Sequence, residues 1–412
     1  MSCRQVDSDP EALRQALVTH LKEQIHIRDP RILAAFRGVP RHRFVTHVTI
    51  EEAYRDRAIP TKQLDSGVAI SSSSQPAIMA MMLEQLDLQP GHRVMEIGAG
   101  TGYNAALMSR LVGEHGHVVT IDYDEDIVSK ARQHLAANGI ENVDVIRADG
   151  GQGVPDGVPF DRIILTVGAW DIAPAWREQL AANGRLVLPL SVGGPQLTVA
   201  FQSQDGRLVS QSAHYCEFMR LRGEYAGPEI LGPLGPKQGF LIGSEEALPV
   251  PADTIYGWLH GPSQDYDTEM HIALRELRSS LWFWLGIYAT GQFRVYAAGD
   301  IARRSSIPDL LSVSTPVAVL KGTSGLVNED GVCLLARSDH DANTFPLHLR
   351  SYGNAEALTQ QLLGQLRTWD AAGRPKGENL EITAYPLHDK IDVPEGAVVM
   401  SKRWHQFVLR WL

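Results

Sequence analysis

The sequence predicts a doubly wound α/β sheet followed by a second, α+β domain. Three observations carry that expectation. Short apolar runs alternate with helix-patterned segments between residues 93 and 190. A glycine-rich turn joins the first of those runs to a helix. A Gly/Pro-rich stretch at 227–238 then breaks the pattern, with a large part of the 412-residue chain still beyond it. Strands alternating with helices imply a parallel sheet covered on both faces.

The stretch His92-Arg-Val-Met-Glu-Ile-Gly-Ala-Gly-Thr-Gly-Tyr-Asn104 reads as a buried strand that runs straight into a glycine-rich turn, with a helix following. Gly98, Gly100 and Gly102 allow a ligand to approach the backbone, and the first N–H groups of the helix have no partner within it. The dinucleotide fingerprint Gly-x-Gly-x-x-Gly does not fit, because Tyr103 holds the place of its third glycine. Glu96, two places before the first glycine, is a poor neighbour for a pyrophosphate and suits a ligand with a cationic end. A second strand, Val118-Val-Thr-Ile-Asp122, ends in an acid about 20 residues beyond the glycines, where a carboxylate can accept from both ribose hydroxyls. Asp124 reads as the cap of a helix with Ile127, Ala131 and Leu135 on one face and Gly139 at its end. The third strand runs from Val143 to Asp149-Gly150, the fourth from Phe160 to Thr166, and the fifth from Gly184 to Leu190. A tight turn without a ligand is the bland alternative for the glycines, and a cap or turn role for each acid. Three acids at successive strand ends, Glu96, Asp122 and Asp149, favour a ligand.

Composition limits the choices. At 412 residues, two domains are expected. The longest apolar run, Leu281-Trp-Phe-Trp-Leu-Gly-Ile-Tyr288, is far short of the roughly 18–20 residues of a membrane helix and reads as core. Arg4, Asp7, Asp9 and Glu11 leave no room for a signal peptide's apolar segment. Cys3, Cys216 and Cys333 form no disulfide or metal pattern, and neither His340 and His348 nor His260 and His271 have flanking ligands. The expectation is a reduced, cytoplasmic protein with no metal and no membrane partner. A net charge of −10 argues against wholesale binding to a nucleic-acid backbone.

Upstream of the glycine turn, Asp29-Pro30 caps a helix through Ile32, Leu33 and Phe36 that ends near Gly38. Val39-Pro-Arg-His-Arg-Phe-Val45, Ala53-Tyr-Arg-Asp56 and Ser73-Ser-Gln-Pro-Ala-Ile-Met-Ala80 follow, and Val158-Pro-Phe-Asp161 opens the fourth strand. Together with Glu96-Ile-Gly-Ala-Gly-Thr-Gly-Tyr103, this series resembles the protein-L-isoaspartate O-methyltransferase family over about residues 20–225. The resemblance implies a class I methyltransferase (Rossmann-like) domain over 1–226. It implies S-adenosylmethionine as cofactor, with S-adenosylhomocysteine as product, and a peptide or protein carboxylate as substrate. Carried over position by position, the cofactor contacts fall on Glu96, Gly98, Gly100, Thr101, Gly102, Tyr103, Asn104, Asp122, Tyr123, Asp149 and Gly150, with Asp149 at the adenine amine. The family's substrate serine falls on Ser74, with Ser72, Ser73 and Gln75 beside it. A carboxylate is already a nucleophile at neutral pH, so alignment and removal of water are needed, not a base. The competing reading of Ser71 to Ser74 is an N-cap and a polar loop.

The chain departs from that family in two ways. Where the family carries Gly-x-Gln-Thr-Ile-Ser before the proline, this chain has Asp65-Ser-Gly-Val-Ala-Ile-Ser-Ser-Ser-Ser74. A linker at 227–238 and an α+β accessory domain at 239–412 are also additional. In that domain a helix is expected over Thr268–Leu277 and strands near 292–297, 317–321, 331–336 and 347–350. A helix from Asn354 should bury Leu358, Leu362, Leu363 and Leu366, with late strands near 380–384 and 406–411. An extra domain with an altered substrate loop resembles actinobacterial homologues that methylate an aspartate in a modified ribosomal peptide (lanthipeptide or graspetide type), giving a succinimide and then isoaspartate. The leading expectation is therefore peptide tailoring, the accessory domain recognising the peptide. Isoaspartate repair is the alternative. A nucleic-acid methyltransferase and a non-enzymatic cofactor-binding protein remain further readings, although Thr166-Val-Gly-Ala-Trp170 lacks the Asn/Asp-Pro-Pro-Tyr-like motif of amino methylation. The sequence does not reveal the oligomeric state.

Overall fold

The computed structural model describes residues 9–63, 69–154, 156–236, 239–298, 307–308, 310–314, 319–337 and 343–412. Cys3, Arg4, Asp7, Asp65–Val68 of the altered loop, Val317 and His340 lie outside the described residues. The chain divides into two compact units. One takes in Met1–Leu190, Gln196–Ala226 and Glu381–Arg410; the other takes in Ser191–Pro195, Gly227–Leu380 and Trp411–Leu412.

The first unit opens with helices α1 (Pro10–Glu23), α2 (Pro30–Gly38) and α3 (Ile50–Ala53), then a hairpin of β1 (Ile59–Gln63) and β2 (Ala69–Ser73). As the sequence suggests, Asp29 caps α2 by accepting the Arg31 N–H at 2.8 Å, with Pro30 in the first turn. The alternation that follows is α4 (Pro76–Leu86), β3 (Arg93–Ile97), α5 (Tyr103–Val112), β4 (His117–Asp122), α6 (Glu125–Ala137), β5 (Val143–Arg147), β6 (Phe160–Leu165), α7 (Pro174–Glu178) and β7 (Leu180–Ser191). The parallel strands lie in the order β7-β6-β3-β4-β5, so the winding reverses between β3 and β6. A doubly wound sheet places its ligand at the carboxyl ends of the strands at such a reversal. One apolar core, including Phe36, Phe44, Met82, Leu86, Tyr103, Leu107, Val118, Val128 and Leu135, fixes α2, α4, α5 and α6 on the sheet.

Beyond β7 come β8 (Gln196–Gln204) and β9 (Arg207–Cys216), paired antiparallel. The second unit begins with β10 (Ile230–Pro233) and β11 (Phe240–Ser244), and continues through β12 (Ser263–Ala273), β13 (Gln292–Ala298), β14 (Leu311–Ser314), β15 (Val319–Val327), β16 (Gly331–Arg337) and β17 (Thr344–Gly353). These form an eight-stranded sheet in the order β10-β11-β13-β15-β16-β17-β12, with β14 on β15. The helix Glu356–Ala371 buries Leu358, Leu362, Leu366 and Trp369 in a core with Leu277, Leu281 and Leu285.

Three expectations change. Residues 268–273 are strand and not helix: the helix starts at Leu274, where the Glu276 carboxylate accepts the Ala273 N–H at 2.9 Å. The 227–238 stretch is not all linker, since β10 pairs along its length with β11. The second unit does not run unbroken from 239 to 412, because Glu381–Arg410 belongs to the first unit. The late strands β18 (Leu380–Pro386), β19 (Val398–Ser401) and β20 (His405–Trp411) extend the first unit's sheet, giving ten strands in the order β19-β20-β18-β9-β8-β7-β6-β3-β4-β5. Sequence pattern identified these strands but not their partner, because pairing β9 with β18 is a contact between residues 208–209 and 383–384.

The return strands are held at one buried polar point. Asp171, after β6, accepts from the Trp404 N–H at 2.7 Å and lies 3.0 Å from the His405 ring, both side chains being buried. The Lys402 ammonium lies 5.5 Å from the Trp170 ring centroid and 4.9 Å from that of Phe407. Removing the His405 ring takes one hydrogen-bond partner from the buried Asp171 carboxylate, which keeps the Ile172 and Trp404 N–H donors, at a cost of about 1–3 kcal/mol. His405→Ala should therefore lower unfolding stability by about that amount. Chemical denaturation monitored by tryptophan fluorescence checks this; an unchanged midpoint would mean that Asp171 relies on its backbone donors alone.

Candidate active site

β3 ends at Ile97 and the chain turns through three left-handed glycines, Gly98 (φ +104°), Gly100 (φ +51°) and Gly102 (φ +81°). At Gly98 a side chain has no room: a Cβ would lie 2.5 Å from Thr166 Oγ1 at the end of β6. The Thr166 hydroxyl donates to the Gly98 carbonyl at 2.7 Å, closing the two strand ends on each other. The Gly98 and Ala99 N–H groups donate to the Ile121 carbonyl at 2.8 and 3.0 Å, tying the turn to β4.

Glu96 is not at the surface of this turn. It is fully buried, and its two oxygens accept from Asn104 Nδ2 at 2.8 Å and Thr120 Oγ1 at 2.6 Å. This corrects the expectation of a carboxylate facing a cationic ligand: Glu96 braces the start of α5 against β4 from inside. Thr101, Tyr103 and Asn104 are buried too. Tyr103 packs on Phe44 and Phe36, at 5.5 and 6.2 Å between ring centroids. These residues support the turn, and its outward face is left to backbone at Gly98–Gly102.

Asp122 stands at the end of β4, where the sequence places it. Its Oδ2 accepts the Gly100 N–H at 3.1 Å, and burial pushes its carboxyl above the usual range. Tyr123 beside it is 51% exposed. Asp124 occupies the cap position of α6 without capping it. Its carboxylate accepts instead from Lys62 Nζ of β1 at 3.1 Å and from Arg222 at 2.9 Å, whose guanidinium also lies 5.8 Å from the Tyr123 ring centroid. Asp149 accepts the Gly151 N–H at 2.9 Å, capping a single 3-10 turn at Gly150–Gln152. Gly150 fits against Ile97, and Gly223 lies close enough to Asp149 that a Cβ there would meet Oδ2 at 2.9 Å. The Ala148 N–H donates to the Asp122 carbonyl, so the two acids share one rim.

The serine run joins this rim through backbone. The Ser72 carbonyl lies 3.3 Å from where a Gly100 Cβ would stand. Ser71, Ser72 and Ser73 belong to β2 and are not helix caps; the Ser71 hydroxyl accepts from Thr61 at 2.9 Å. Ser74 and Gln75 follow at the half-buried corner between β2 and α4. Gln75 is the N-cap residue of α4 but makes no capping bond. Asp56 does so from a distance, accepting the Ala77 N–H at 2.8 Å and the Gln75 side-chain amide at 2.9 Å. Below the corner, Arg41 is fully buried, with Nη2 3.4 Å from the Ser73 carbonyl and 3.3 Å from that of Arg57. Burial lowers its guanidinium to about 10, which leaves it charged at neutral pH. Sequence reading quoted Arg41, Asp56 and Thr166 within motifs but gave them no role at the site, and missed Lys62 and Arg222. The sequence offers little signal for Arg41 or Asp56, because Arg41 is followed by His42-Arg43 and Asp56 lies between Arg55 and Arg57, as charged residues of a surface segment would.

The geometry fits S-adenosylmethionine. A backbone turn without side chains at Gly98 and Gly100 leaves space for close approach. Asp122 directs its carboxylate to that turn, as a ribose requires, and Asp149 stands at the next strand end. Among the described residues, no group of three or more His, Cys, Asp or Glu is placed to hold a metal, and no helix is long and apolar enough to cross a membrane.

Comparison with known proteins agrees. Residues 12–226 match the family model for protein-L-isoaspartate(D-aspartate) O-methyltransferase. The chain is similar to protein-L-isoaspartate O-methyltransferase 2 of Archaeoglobus fulgidus, 35% identical over 217 residues, covering 53% of this chain and 96% of the relative. It is 37% identical over 213 residues to the protein-L-isoaspartate O-methyltransferase of Methanopyrus kandleri, covering 51% and 92%. A solved protein-L-isoaspartate O-methyltransferase structure aligns over 90% of this chain and 96% of its own, at 26% identity and a TM-score of 0.50.

Buried Glu96 gives the site a pH signature. Burial pushes its carboxyl from the ordinary 4.5 up to about 7. Below 4.5 it is protonated in both folded and unfolded chains and costs nothing. Between 4.5 and 7 the unfolded chain ionises first, so stability falls as pH rises, and the loss levels off above 7 at about 3 kcal/mol. Glu96→Gln can still accept from Asn104 and can donate to Thr120, without a charge. The variant should therefore gain on the wild type by about 3 kcal/mol between pH 4.5 and 8, read from urea midpoints. A difference that does not change with pH would place the ionised form in a better-solvated setting.

Proposed function

Since the chain belongs to the protein-L-isoaspartate O-methyltransferase family, we propose that it methylates the free carboxylate of isoaspartyl residues in proteins or peptides. The observation that supports this reading is the approach of the serine run to the glycine turn, where the Ser72 carbonyl lies 3.3 Å from the place of a Gly100 Cβ, two residues before Ser74. S-adenosylmethionine supplies an electrophilic methyl group on a sulfonium centre. Gly98, Gly100, Asp122, Tyr123, Asp149 and Gly150 would hold it through backbone approach and the two carboxylates. Glu96, Thr101, Gly102, Tyr103 and Asn104 keep that turn in shape from within. Ser74 donates its hydroxyl to the substrate carboxylate and orients it, while Ser72, Ser73 and Gln75 shape the rim around it. The carboxylate would attack the methyl carbon as the anion it already is, so no proton has to be removed; the O–CH3 bond of the ester would form as the S–CH3 bond breaks, with S-adenosylhomocysteine leaving. The methyl ester is then lost as the following backbone nitrogen attacks the ester carbonyl. That step releases methanol and closes a succinimide, whose hydrolysis yields aspartyl or isoaspartyl peptide.

Tailoring of a modified ribosomal peptide has less support. The relatives carry isoaspartate names. The solved isoaspartate methyltransferase aligns over 90% of this chain, well past residue 226, so a C-terminal region of this kind is not by itself a mark of peptide tailoring. Peptide recognition by the second unit remains part of the proposal only as a source of substrate preference.

With labelled S-adenosylmethionine, an isoaspartyl peptide should be methylated and its aspartyl counterpart should not. Labelling of a constrained ribosomal peptide with no labelling of the isoaspartyl one would reverse this choice. Ser74→Ala should keep cofactor affinity and slow methylation roughly 10–1000-fold, with kcat flat from about pH 6 to 8 in both forms. Wild-type turnover in that variant would remove Ser74 from the mechanism. Asp122→Ala should weaken cofactor binding in calorimetry by on the order of 1–3 kcal/mol, and an unchanged affinity would move the ribose contact elsewhere.

A further inference from the structure

We propose that Asp56 and Arg41 are positioning residues that hold the Ser74 corner in its reactive geometry. This rests on the role of Ser74 proposed above. Ser74 lies between two fixed points. On one side, the Ser73 carbonyl faces Arg41 Nη2 at 3.4 Å. On the other, Asp56 accepts from both the Gln75 side chain and the Ala77 N–H. Both anchors arrive from outside the β2–α4 connection, 32 and 21 residues away in sequence.

The corner needs such anchors because it cannot brace itself. Gln75 stands at the cap position, where a Ser, Thr, Asp or Asn would accept a helix N–H, but makes no capping bond. Pro76 has no N–H to offer. Ala77 is the first residue of α4 with a donor, and Asp56 takes it.

A fold seeking only stability would not choose these groups. Arg41 is fully exposed to the cost of burial: its Nε and Nη1 have no hydrogen-bond partner among the described residues, and neither has the buried Ser73 hydroxyl. Unpaired buried donors are expensive, and a cation more so. An apolar side chain packed on Tyr103, whose ring centroid is 5.5 Å from the guanidinium, would avoid that cost. What an apolar residue could not do is bond the Ser73 carbonyl from below. A serine that orients a carboxylate loses its effect when displaced by about 1 Å, which is the kind of error these bonds prevent.

The test uses the full chain and an isoaspartyl peptide, with kcat, KM, cofactor affinity and thermal midpoint measured for Asp56→Ala, Asp56→Asn, Ser74→Ala and the Asp56→Ala/Ser74→Ala double variant. Asp56→Ala should lower kcat about 10–100-fold with cofactor affinity within about twofold. Asp56→Asn should recover to within about threefold. Asparagine still accepts from Ala77 and can donate to a flipped Gln75 amide. The double variant should be no more than about twofold slower than Ser74→Ala, because the two residues act through one another. If Ser74→Ala is slow but the two effects multiply, the positioning role is overturned and the serine role stands. If Ser74→Ala turns over at the wild-type rate, the serine role itself is overturned, and the positioning role with it. Should Asp56→Ala not fold, Gln75→Met takes its place in the same cycle: it drops one Asp56 contact and leaves the helix N–H bonded, and multiplication with Ser74→Ala would again overturn the proposal.

Discussion

The first unit depends on a turn that must pass from β3 into α5 with no room for a side chain at Gly98. Thr166 on one side and the Ile121 carbonyl on the other leave that residue only a left-handed backbone, which glycine adopts without strain. Because the turn lies where the winding of the sheet reverses, its open face looks out over the carboxyl ends of the strands. Asp122 reaches that face by ending β4, and Asp149 stands two residues beyond β5 as the cap of the Gly150–Gln152 turn. The fold thus assembles a ligand rim from one local constraint and the register of a parallel sheet.

What holds the turn is a buried carboxylate, and this is an expensive choice. Glu96 is shut away from water, and two neutral donors do not fully replace hydration. An apolar residue there would pack without penalty, but it would leave the Asn104 amide and the Thr120 hydroxyl without their shared acceptor. Those two groups lie on α5 and β4, the elements on either side of the turn. Stability is spent so that the turn has one shape. The corner at Ser74 repeats the arrangement with the charge reversed: Arg41 is buried, only partly satisfied, and bonded to the backbone beside the residue of interest.

Much of the first unit was legible in sequence, for physical reasons that differ by element. β3, β4 and the ends of β6 and β7 are buried on both faces and read as apolar runs, while β5, at the sheet's edge, is only partly buried and mixes polar with apolar residues. Glycines, the Asp29-Pro30 cap and strand-end acids act locally and were placed correctly. Orientation was less legible. Glu96 and Tyr103 sit within a ligand-binding motif yet point inward, because motif spacing does not distinguish the residue that touches a ligand from the one that supports the turn. Asp124 looked like a cap and is an ion-pair hub, since Lys62 and Arg222 come from segments far apart in sequence. The Thr268–Leu277 helix failed for another reason: Thr268 and Ile272 are the buried positions of a strand whose other face is mostly polar and exposed, and a few alternating residues next to a true helix start at Leu274 are easily absorbed into it.

The return of the chain at residues 381–410 changes what the first unit is. Without β18, strand β9 would end the sheet with a row of unpaired backbone groups, the sort of edge that invites pairing with another chain. With it, the sheet continues through β20 to β19, and Asp171, in the loop after β6, gains Trp404 and His405 as partners. That loop follows the strand whose Thr166 closes the glycine turn, so the far end of the chain is bonded five residues from the ligand rim. The family match ends at residue 226, but the folded unit that carries the matched residues does not. Whatever the role of the second unit, the methyltransferase sheet already includes strands from the chain that follows it. Activity lost on shortening the chain is therefore no measure of substrate recognition until the loss of β18–β20 has been separated from the loss of the second unit itself.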